Sequence, residues 1–284
     1  MDETLIGVLH PGEMGAAVGA CLTQRGLAVL WASAGRGPAT AERAAAAGMR
    51  DVGTTSEMSV QAGVILSVCP PHAALEVARS AAGFRGIFVD ANAVSPGTAR
   101  EIARVVETQG AAYVDGGIIG APPRSAGDSR LYLSGQRAGE VGEMFKGTAL
   151  EARVIGDQAG AASAVKIAYA AWTKGTAALI LAIRALAHAE DVEETLLAEW
   201  EQSQPMLTAR SHTAARSATE KGWRWIAEME EIAATMAANG LPPGFHQAAA
   251  AIYSRVPRAT APAPTSEHTL SAVVDALLAD SSSA

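Results

Sequence analysis

The fold of this chain can be predicted from one segment near the N-terminus: Ile6-Gly7-Val8-Leu9-His10-Pro11-Gly12-Glu13-Met14-Gly15. Its apolar first half predicts a buried strand, and the alanine-rich segment that follows as far as Arg25 predicts a helix. A strand, a glycine turn and a helix open a dinucleotide-binding βαβ unit, in which the pyrophosphate rests on the helix N-terminus and glycine lets the backbone approach it. In the G-x-G-x-x-G pattern of such turns, Gly12 and Gly15 take the second and third places, whereas His10 stands in the first.

Strands and helices alternate over the first half of the chain, and after Gly156 only long apolar helices follow. The alternation predicts an α/β fold class with an N-terminal doubly wound Rossmann-type domain over residues 1–156. We expect an all-helical C-terminal domain over residues 157–258, then a linker and an amphipathic helix over residues 259–284. The predicted strands are Thr4–Leu9, Ala28–Ala32, Val64–Val68, Gly86–Asp90, Ala112–Val114, Leu131–Ser134 and Ala152–Ile155, and the predicted helices of the second domain are Ala161–Ala189, Glu193–Glu199 and Trp223–Ala238.

The composition argues against several classes of partner. The 284 residues carry a formal net charge of −7, and a net anion does not attract nucleic acid or an anionic membrane surface. Asp2 and Glu3 precede the first apolar run, which is the wrong charge order for a secretory signal. We find no apolar run of the roughly 18 residues that suggests a membrane span. Cys21 and Cys69 lie in apolar segments without metal-ligand spacing. We therefore expect a cytoplasmic protein with no metal, nucleic-acid or membrane partner.

The end of the second strand indicates which dinucleotide is bound. It reads Ser33-Ala34-Gly35-Arg36, where an NAD enzyme places an Asp or Glu for the ribose hydroxyls. Because a hydroxyl and a guanidinium suit a 2′-phosphate, we expect NADP(H) to be preferred over NAD(H). Two alternatives stay open: Arg36 is a solvated loop residue, or Arg43 in the following segment takes its part.

Polar residues and glycines follow three further strands. The loop Cys69-Pro70-Pro71-His72 is stiffened by its prolines at the carboxyl end of a strand, where it is suited to form a wall for the nicotinamide. Asn92 follows the next strand and faces the same crevice, unless it only bonds its own backbone in a turn. The run Asp115–Pro123 contains three glycines, which predict backbone amides presented to an anionic ligand.

The first turns of the long helix that follows carry one cation, Lys166. Gly160 marks the start of this helix, and Val165, Ala168 and other apolar residues recur after it at helical spacing. A lysine in this position suits a proton donor whose pKa is lowered by burial and whose place is fixed by the helix. The alternative is a surface lysine whose stem packs on apolar neighbours. Lys174, two turns further along the same face, is a second candidate donor.

Three blocks together resemble signatures of the β-hydroxyacid dehydrogenase family, in that family's order and spacing: Ile6–Gly15, Val114–Gly120 and Gly160–Lys166. The family includes 3-hydroxyisobutyrate and 6-phosphogluconate dehydrogenases, with imine reductases as relatives, and the likeness is greatest to a branch of 6-phosphogluconate-dehydrogenase-like proteins. The resemblance implies an NAD(P)-dependent enzyme that transfers a hydride between the nicotinamide and a small hydroxy-acid or carbonyl substrate. It also implies oligomers built through the helical domain.

The motifs and the resemblance together assign roles to individual residues, with Lys166 as the catalytic general acid and base. The sequence departs from the family at Ile119, where a serine that holds the substrate carboxylate is usual, and at Tyr169 and Ala170, which replace two asparagines. The cofactor site comprises His10, Pro11, Gly12, Glu13, Met14, Gly15, Ser33, Arg36, Cys69, Pro70 and Asn92, and the substrate site comprises Gly117, Ile118, Ile119, Gly120, Tyr169 and Lys174.

Two other functions stay open at this point. An imine or ketimine reductase needs no carboxylate site, and Tyr169 would assist in it. A non-catalytic NADPH-binding sensor or scaffold is favoured if Lys166 is exposed to solvent. Two further sets of residues are interpreted as structural: His246 packs or caps a helix, and a solvated helix face is formed by Glu228, Glu230 and Glu231.

The end of the chain predicts how the protein assembles. Ala259–Thr265 reads as a stiff Pro-Ala linker, and an apolar stripe follows it on a helix of about three turns, which is too short to be stable alone in water. We therefore expect a homodimer in which this helix packs on helical-domain surface, of its own chain or of the partner. The stripe consists of Leu270, Val273, Val274, Leu277 and Leu278.

Overall fold

The computed structural model describes residues 4–259 and 265–279. The chain divides into two compact units, residues 1–167 and residues 168–284. The first unit holds all of the strands that the structure describes, and the second is built from helices. This is the architecture expected from the sequence, an α/β Rossmann-type domain followed by an all-helical region.

The first unit contains one eight-stranded sheet in the order β3-β2-β1-β4-β5-β6-β7-β8. Strands β1 to β6 pair in parallel, β7 runs antiparallel to β6, and β8 is parallel to β7. The chain leaves β1 in one direction for β2 and β3 and returns on its other side for β4, so β1 and β4 flank the point where the strand order reverses. Open α/β sheets bind ligands at the carboxyl ends of such strands. The strands are β1 (Ile6–Leu9), β2 (Val29–Trp31), β3 (Arg50–Asp51), β4 (Val64–Ser67), β5 (Ile87–Asp90), β6 (Ala112–Gly120), β7 (Ser129–Ser134) and β8 (Leu150–Gly156).

Helices cover both faces of this sheet and bury two apolar layers. Neighbouring residues of a strand point to opposite faces, so Val64 and Leu66 of β4 enter one layer and Ile65 enters the other. A strand buried on both faces needs a continuous apolar run, which is why these strands read as such in the sequence. The helices are α1 (Glu13–Gln24), α2 (Pro38–Ala46), α3 (Thr55–Gln61), α4 (Ala74–Ser80), α5 (Pro96–Thr108) and α6 (Ala138–Met144), with a short 3₁₀ turn at Pro71–Ala73.

The second unit is assembled around a 32-residue helix, α9. Helices α10 and α11 both pack against α9, and the buried side chains include Trp200, Met229 and Tyr253. The first turns of α7 belong to the first unit and the remainder of α7 to the second. The helices are α7 (Ala161–Ala189), α8 (Glu193–Ser203), α9 (Leu207–Ala238), α10 (Gly244–Arg255) and α11 (Ser266–Leu278).

Several predicted boundaries differ from the observed ones. Helix α7 has the bounds expected from the sequence, whereas α9 begins at Leu207 instead of Trp223 and α10 was not predicted at all. Strand β6 does not end at Val114 but continues to Gly120. The predicted linker falls mostly on residues 260–264, which lie outside the described residues.

Helix α7 bears on the expectation that the chain has no membrane span. Among the described residues it is the helix that is long and apolar enough to cross a membrane, judged by length and composition alone, with a mean hydropathy of 1.2 over its most apolar window. Half of that window is buried inside the structure. The core helix of a soluble protein has the same properties, so the finding is weak evidence for a span.

Candidate functional site

The loop between β1 and α1 has the backbone that a dinucleotide needs. His10 adopts a positive φ of 65°, the left-handed conformation in which glycine is usual. A side chain at Gly12 would meet no atom within 4 Å, so the helix N-terminus is open there, whereas a Cβ at Gly15 would lie 2.7 Å from the carbonyl oxygen of His10. Gly12 caps α1 without a side-chain hydrogen bond, which leaves the first-turn N–H groups to a ligand. The loop therefore fits a pyrophosphate.

The other residues assigned to this loop lie around the same helix start. Pro11 is buried, Met14 is half-buried and Glu13 is exposed in the first turn of α1. The side chain of Arg43 in α2 donates from Nε to the carbonyl oxygen of Pro11 over 3.3 Å. Arg43, the alternative cation of the sequence analysis, therefore touches the dinucleotide loop.

The imidazole of His10 is uncharged at neutral pH. Burial, together with the positive charge of Arg36, lowers the pKa of His10 from 6.5 to about 4. Its Nδ1 atom is buried and has no hydrogen-bond partner among the described residues. The charge of Arg36 also acts on the thiol of Cys69. Arg36 itself is exposed, and the structure gives its charge a minor effect on these two groups beside the larger effect of their burial.

An acid from the neighbouring strand lies beside the end of β2. Asp51 ends β3, where it pairs with Trp31 of β2, and its Oδ1 accepts hydrogen bonds from the N–H groups of Ser33 (3.2 Å) and Gly53 (2.8 Å). Hydrogen bonds from Ser33 and from the backbone lower the pKa of Asp51. The expectation that this site holds only a hydroxyl and a guanidinium is therefore wrong, because folding brings a carboxylate from the neighbouring strand.

The ends of β4 and β5 are joined through Asn92. Its side-chain oxygen accepts the N–H of Cys69, and its amide group donates to Ser67 Oγ (3.0 Å) and to Asp90 Oδ1. Asn92 is therefore not a turn residue that bonds only its own backbone. It fixes the loop that begins with Cys69 and Pro70 against the neighbouring strand.

Two buried carboxyl groups lie beside each other where β5 and β6 pair. Asp90 and Asp115 are register partners, and both are almost fully buried. Burial and then the charge of Asp115 raise the pKa of Asp90 to about 7. The oxygens of Asp90 also accept from the backbone N–H of Asn92 and from the hydroxyl of Tyr113. Asp90 is therefore harder to ionise than an aspartic acid exposed to water.

The glycine run after Val114 is part of the sheet, which corrects the expectation of a loop that presents backbone amides. Residues 115–120 pair with β7 along their whole length. Ile118 and Ile119 are buried, and Gly120 is exposed. A Cβ at Gly117 would lie 2.8 Å from the carbonyl oxygen of Ala162 and 3.2 Å from Cβ of Lys166. Gly117 is therefore what lets β6 approach the start of α7.

Lys166 lies one turn after the beginning of α7 and is half-buried. The start of this helix is held by groups from the sheet: the Ala162 N–H donates to Ser134 Oγ (3.1 Å), and the Ser163 N–H donates to Asp115 Oδ2 (2.9 Å). Ser163 Oγ also donates to Asp115 Oδ1 over 2.6 Å. The backbone that carries Lys166 is thus fixed by buried polar contacts.

The candidate residues of the second unit have other surroundings. Tyr169 is exposed, and Lys174 forms an ion pair with Glu228 and lies 5.5 Å from the ring centre of Trp225. Glu228 is therefore not part of a solvated face, as the sequence suggested, because it neutralises Lys174. Lys174 and Trp225 line a groove of about 880 Å³ between α7, α8 and α9.

His246 and the two cysteines are packed among other residues of the described structure. His246 is buried, with Nε2 3.4 Å from the carbonyl oxygen of Ala171, which is the packing role expected for it. Cys21 is buried and Cys69 half-buried, and both are free thiols. Within residues 4–259 and 265–279, no group of three or more His, Cys, Asp or Glu side chains is arranged to hold a metal ion.

Sequence reasoning missed Asp51, Asp115 and Ser134 as contributors to these sites. A signal for Asp115 was present, because it stands between an apolar run and apolar residues with glycines, and a carboxyl group buried there needs hydrogen-bond partners. Asp51 and Ser134 gave no signal, since their partners are distant in the sequence.

Comparison with protein families assigns both parts of the chain. Residues 5–156 match the family described as the NAD binding domain of 6-phosphogluconate dehydrogenase, and residues 187–256 match a domain of unknown function, DUF1932. An uncharacterized 28.5 kDa protein in the 7S RNA 5′ region of Methanothermus fervidus is 31% identical over 143 residues, 50% of this chain and 54% of that protein. The chain thus matches about half the length of this curated relative.

Solved structures share the fold over most of the chain. A conserved protein of unknown function, MTH1747, described as structurally similar to 3-hydroxyacid dehydrogenases, is 29% identical with a TM-score of 0.72, covering 89% of this chain and 96% of that one. The 3-hydroxyisobutyrate dehydrogenase of Mycobacterium tuberculosis is 20% identical with a TM-score of 0.70, covering 97% and 99%. A reductive aminase from Aspergillus terreus in complex with NADPH and ethyl levulinate is 21% identical with a TM-score of 0.58, covering 89% and 93%. The last two likenesses show the fold alone.

The family match over more than half of the chain agrees with the open helix start at Gly12 and with the sheet order that reverses between β1 and β4. The chain therefore belongs to the β-hydroxyacid dehydrogenase-like family of NAD(P)-dependent oxidoreductases.

Proposed function

We propose that this protein transfers a hydride between NADP(H) and a small hydroxy-acid or carbonyl substrate, with Lys166 as the general acid and base. The observation that carries the proposal is the placement of Lys166: it is half-buried on a helix start that Asp115 and Ser134 hold, with Gly117 against its Cβ. A lysine fixed in this way is able to act on one substrate atom in one geometry.

Hydride adds to the carbon of C=O or C=N, and the π electrons of that bond move to the heteroatom, which then needs a proton. The bound cofactor supplies or accepts the hydride. Lys166 donates a proton to the developing charge on the substrate heteroatom, or removes one in the oxidative direction, which contributes a factor of about 10² to 10⁴ in rate. The β1–α1 loop binds the pyrophosphate, and Asn92 holds the loop at Cys69 in place.

The preference for NADP(H) rests on two cations. Arg36 acts electrostatically on His10, and Arg43 touches the carbonyl oxygen of Pro11, so both lie near the dinucleotide loop. Asp51 opposes them with one negative charge, and that charge is already engaged by the N–H groups of Ser33 and Gly53. The two guanidinium groups near the loop are suited to charge-assisted contacts with the 2′-phosphate.

Fewer residues of the candidate site indicate the class of substrate than indicate the cofactor. Ile119 is buried and offers no hydroxyl, so this position does not hold a substrate carboxylate in the way a serine would. The same observation favours a second candidate, an imine or ketimine reductase, in which the substrate needs no carboxylate. The exposed phenol of Tyr169 is then free to assist.

Lys166→Ala is the variant that tests the proposal, assayed with panels of keto acids, aldehydes and cyclic imines and both cofactors. We expect turnover to fall by at least about a hundredfold with cofactor binding unchanged, since only a transition-state interaction is lost. Lys174→Ala is the matched control, because Lys174 lies on the same helix and its charge is held in an ion pair with Glu228.

Each alternative has its own outcome in this experiment. Turnover of imines without turnover of keto acids assigns the imine reductase. Tight NADPH binding without turnover of any panel compound assigns a non-catalytic sensor or scaffold. Near-normal turnover by Lys166→Ala contradicts the role of this lysine, and a hundredfold loss with Lys174→Ala would move the donor to the second lysine.

We also propose that the protein is a homodimer through its helical unit. Large apolar side chains are exposed there, among them Trp172, Leu186 and Met206, at 65%, 61% and 67%. Trp172 and Met206 both line the groove of about 880 Å³. Exposed apolar residues that are grouped in this way mark interaction sites in proteins.

A further inference from the structure

The start of α7 is capped by side chains that are distant in sequence. The first four N–H groups of a helix have no partner inside the helix, so buried starts need acceptors from elsewhere. In α7 these acceptors come from two neighbouring strands: Asp115 of β6 and Ser134 of β7. Asp115, Ser134 and Ser163 are all fully buried, so water does not replace these contacts.

Asp115 is the centre of this arrangement. It accepts three hydrogen bonds, from the N–H and the hydroxyl of Ser163 and from the hydroxyl of Ser134 over 3.1 Å. Asp115 and Ser134 are also register partners in the β6–β7 ladder, so the strands hold both acceptors at a fixed spacing. A carboxylate at a helix N-terminus is further stabilised by the helix dipole. The first turn of α7 is therefore held against the sheet by Asp115, Ser134 and Ser163, which we together call the lock of α7.

The lock lies directly beneath Lys166. Residues three apart in a helix are neighbours on one face, so Lys166 stands one turn above Ser163. Residues two apart in a strand share one face, so Gly117 faces α7 as Asp115 does. Gly117 approaches the Cβ of Lys166, as described above. Asp115 thus sets the position of the first turn, and Gly117 sets how near the next turn comes to the sheet.

We infer that Asp115 is a positioning residue for the reaction. By capping the start of α7, it fixes where the turn that carries Lys166 lies along the helix axis and how that turn is rotated about the axis. The inference rests on the proposed role of Lys166 and adds a residue that acts through it. A shift of about 1 Å in a catalytic group can lower turnover by about a hundredfold, so a loosened cap has a measurable effect.

The test compares Asp115→Ala with Asp115→Asn. Asparagine has the same shape, and its oxygen can accept the Ser163 N–H while its amide group donates to the Ser163 hydroxyl. Alanine leaves that N–H buried without a partner. We expect Asp115→Ala to lower kcat by about 10- to 100-fold, with the Kd for NADPH changed less than about twofold, and Asp115→Asn to retain most of kcat.

A control separates positioning from a general loss of stability. Thr54 caps α3 through the Glu57 N–H, far along the sequence from α7. Thr54→Ala removes a helix cap, and we expect it to lower stability without lowering kcat. Ser134→Ala is a milder variant of the lock, because it removes the acceptor of the Ala162 N–H, and it keeps the test decisive if Asp115→Ala does not fold.

A second readout needs no substrate. The chain has four lysines, Lys146, Lys166, Lys174 and Lys221, so reductive ¹³C-methylation gives few NMR resonances, and Lys166→Arg identifies that of Lys166. We expect Asp115→Ala or Ser134→Ala to shift the Lys166 resonance alone, and Asp115→Asn to leave it near its original place.

The two hypotheses fail in different ways. If Lys166→Ala keeps its turnover, the proposed function falls and the role of Asp115 in it falls as well. If Lys166→Ala loses turnover while Asp115→Ala and Ser134→Ala change neither kcat nor the Lys166 resonance, the proposed function stands and the inference about Asp115 is wrong.

Discussion

At the scale of single residues, His10 shows why glycine is usual at the start of a dinucleotide loop. Its φ of 65° costs a non-glycine residue about 1 to 2 kcal/mol, although histidine tolerates this region better than most residues. We predict that the free energy of unfolding of His10→Gly is about 1 kcal/mol higher than that of His10→Ala. Both variants lack the imidazole, and only alanine keeps the backbone strain. Urea unfolding measures the difference, and an alanine variant as stable as the glycine variant would show that the loop relaxes.

Arg36 decides the cofactor prediction at the same scale. We predict that Arg36→Ala weakens NADPH binding by about 1 to 3 kcal/mol and NADH binding little, because a charge-assisted contact to the 2′-phosphate is lost. Calorimetric titration of both cofactors measures this, with Arg104→Ala on the exposed side of α5 as the control. Equal losses for NADPH and NADH would contradict the assignment, and a selective loss in Arg43→Ala instead would transfer the role to Arg43.

Asp90 makes stability depend on pH in a direction that is unusual for a carboxylic acid. Its pKa is raised from 3.8 to about 7 by burial and by Asp115, so the folded chain binds this proton more tightly than the unfolded chain does. The contribution of Asp90 to the free energy of unfolding of the chain therefore falls as the pH rises from about 4 to about 7. Above about pH 7 this contribution stays constant. His10, whose pKa is lowered to about 4, acts in the opposite direction up to its unfolded pKa of 6.5.

We predict that Asp90→Asn removes this fall. The free energy of unfolding of the native chain minus that of Asp90→Asn should decrease between pH 4 and pH 7, with the contribution of His10 cancelling because both proteins contain it. Denaturant unfolding at a series of pH values gives the difference. Parallel curves for the two proteins would mean that Asp90 titrates in its ordinary range.

At the scale of elements, the contact between β6 and α7 depends on the absence of one side chain. We predict that Gly117→Ala lowers the free energy of unfolding by about 1 to 3 kcal/mol, because its Cβ would lie 2.8 Å from the Ala162 carbonyl oxygen and α7 must move. Gly139→Ala in α6 is the matched control, since a Cβ there meets nothing within 4 Å and should stabilise the helix. Thermal unfolding separates the two, and an equally stable Gly117→Ala would show that α7 is not held closely.

The same elements show which parts of the fold could be read from the sequence. Helix α7 was predicted with its observed bounds because Gly160 precedes a long apolar run. Strand β6 was cut short at Val114 because glycine has a low strand propensity, yet these glycines serve close packing: a Cβ at Gly116 would lie 3.2 Å from Ala91. Strand β3 is two exposed residues without an apolar signal, so the contact between Asp51 and Ser33 was not predictable.

A contact between the ends of β4 and β5 was predictable, because both of these neighbouring strands end with polar residues. Cys69 and Asn92 were both placed at the crevice, and the structure joins them by a hydrogen bond. The lock of α7 was not predicted, because its two acceptors face a helix that begins far away in sequence. Local patterns gave the elements, and only the pairing of β6 with β7 brought Asp115 and Ser134 together.

At the scale of the whole molecule, the last helix completes the helical unit of its own chain. Four residues of its apolar stripe are buried, and α11 packs on α9 and α10, where the side chain of Arg255 also donates to the Leu277 carbonyl oxygen. Leu278, the fifth residue of the stripe, is 42% exposed. The position of α11 thus corresponds to the alternative in which this helix docks on its own chain. The groove of about 880 Å³ and the exposed apolar residues of α7 form the surface at which we propose that a second subunit binds.

We predict that truncation after Arg258 lowers the melting temperature, because it removes α11 and uncovers α9. The proposed dimer should stay intact, because α11 packs within its own subunit. Light scattering of the intact chain should give twice 29.0 kDa, that is 58.0 kDa. Leu270→Ala, at a position 1% exposed, should cost about 2 to 5 kcal/mol, and Leu278→Ala much less. If the truncated chain is a monomer, α11 joins the subunits. If the intact chain is a monomer, the dimer itself is contradicted. An equal loss of unfolding free energy in Leu270→Ala and Leu278→Ala would contradict the packing of α11 on α9.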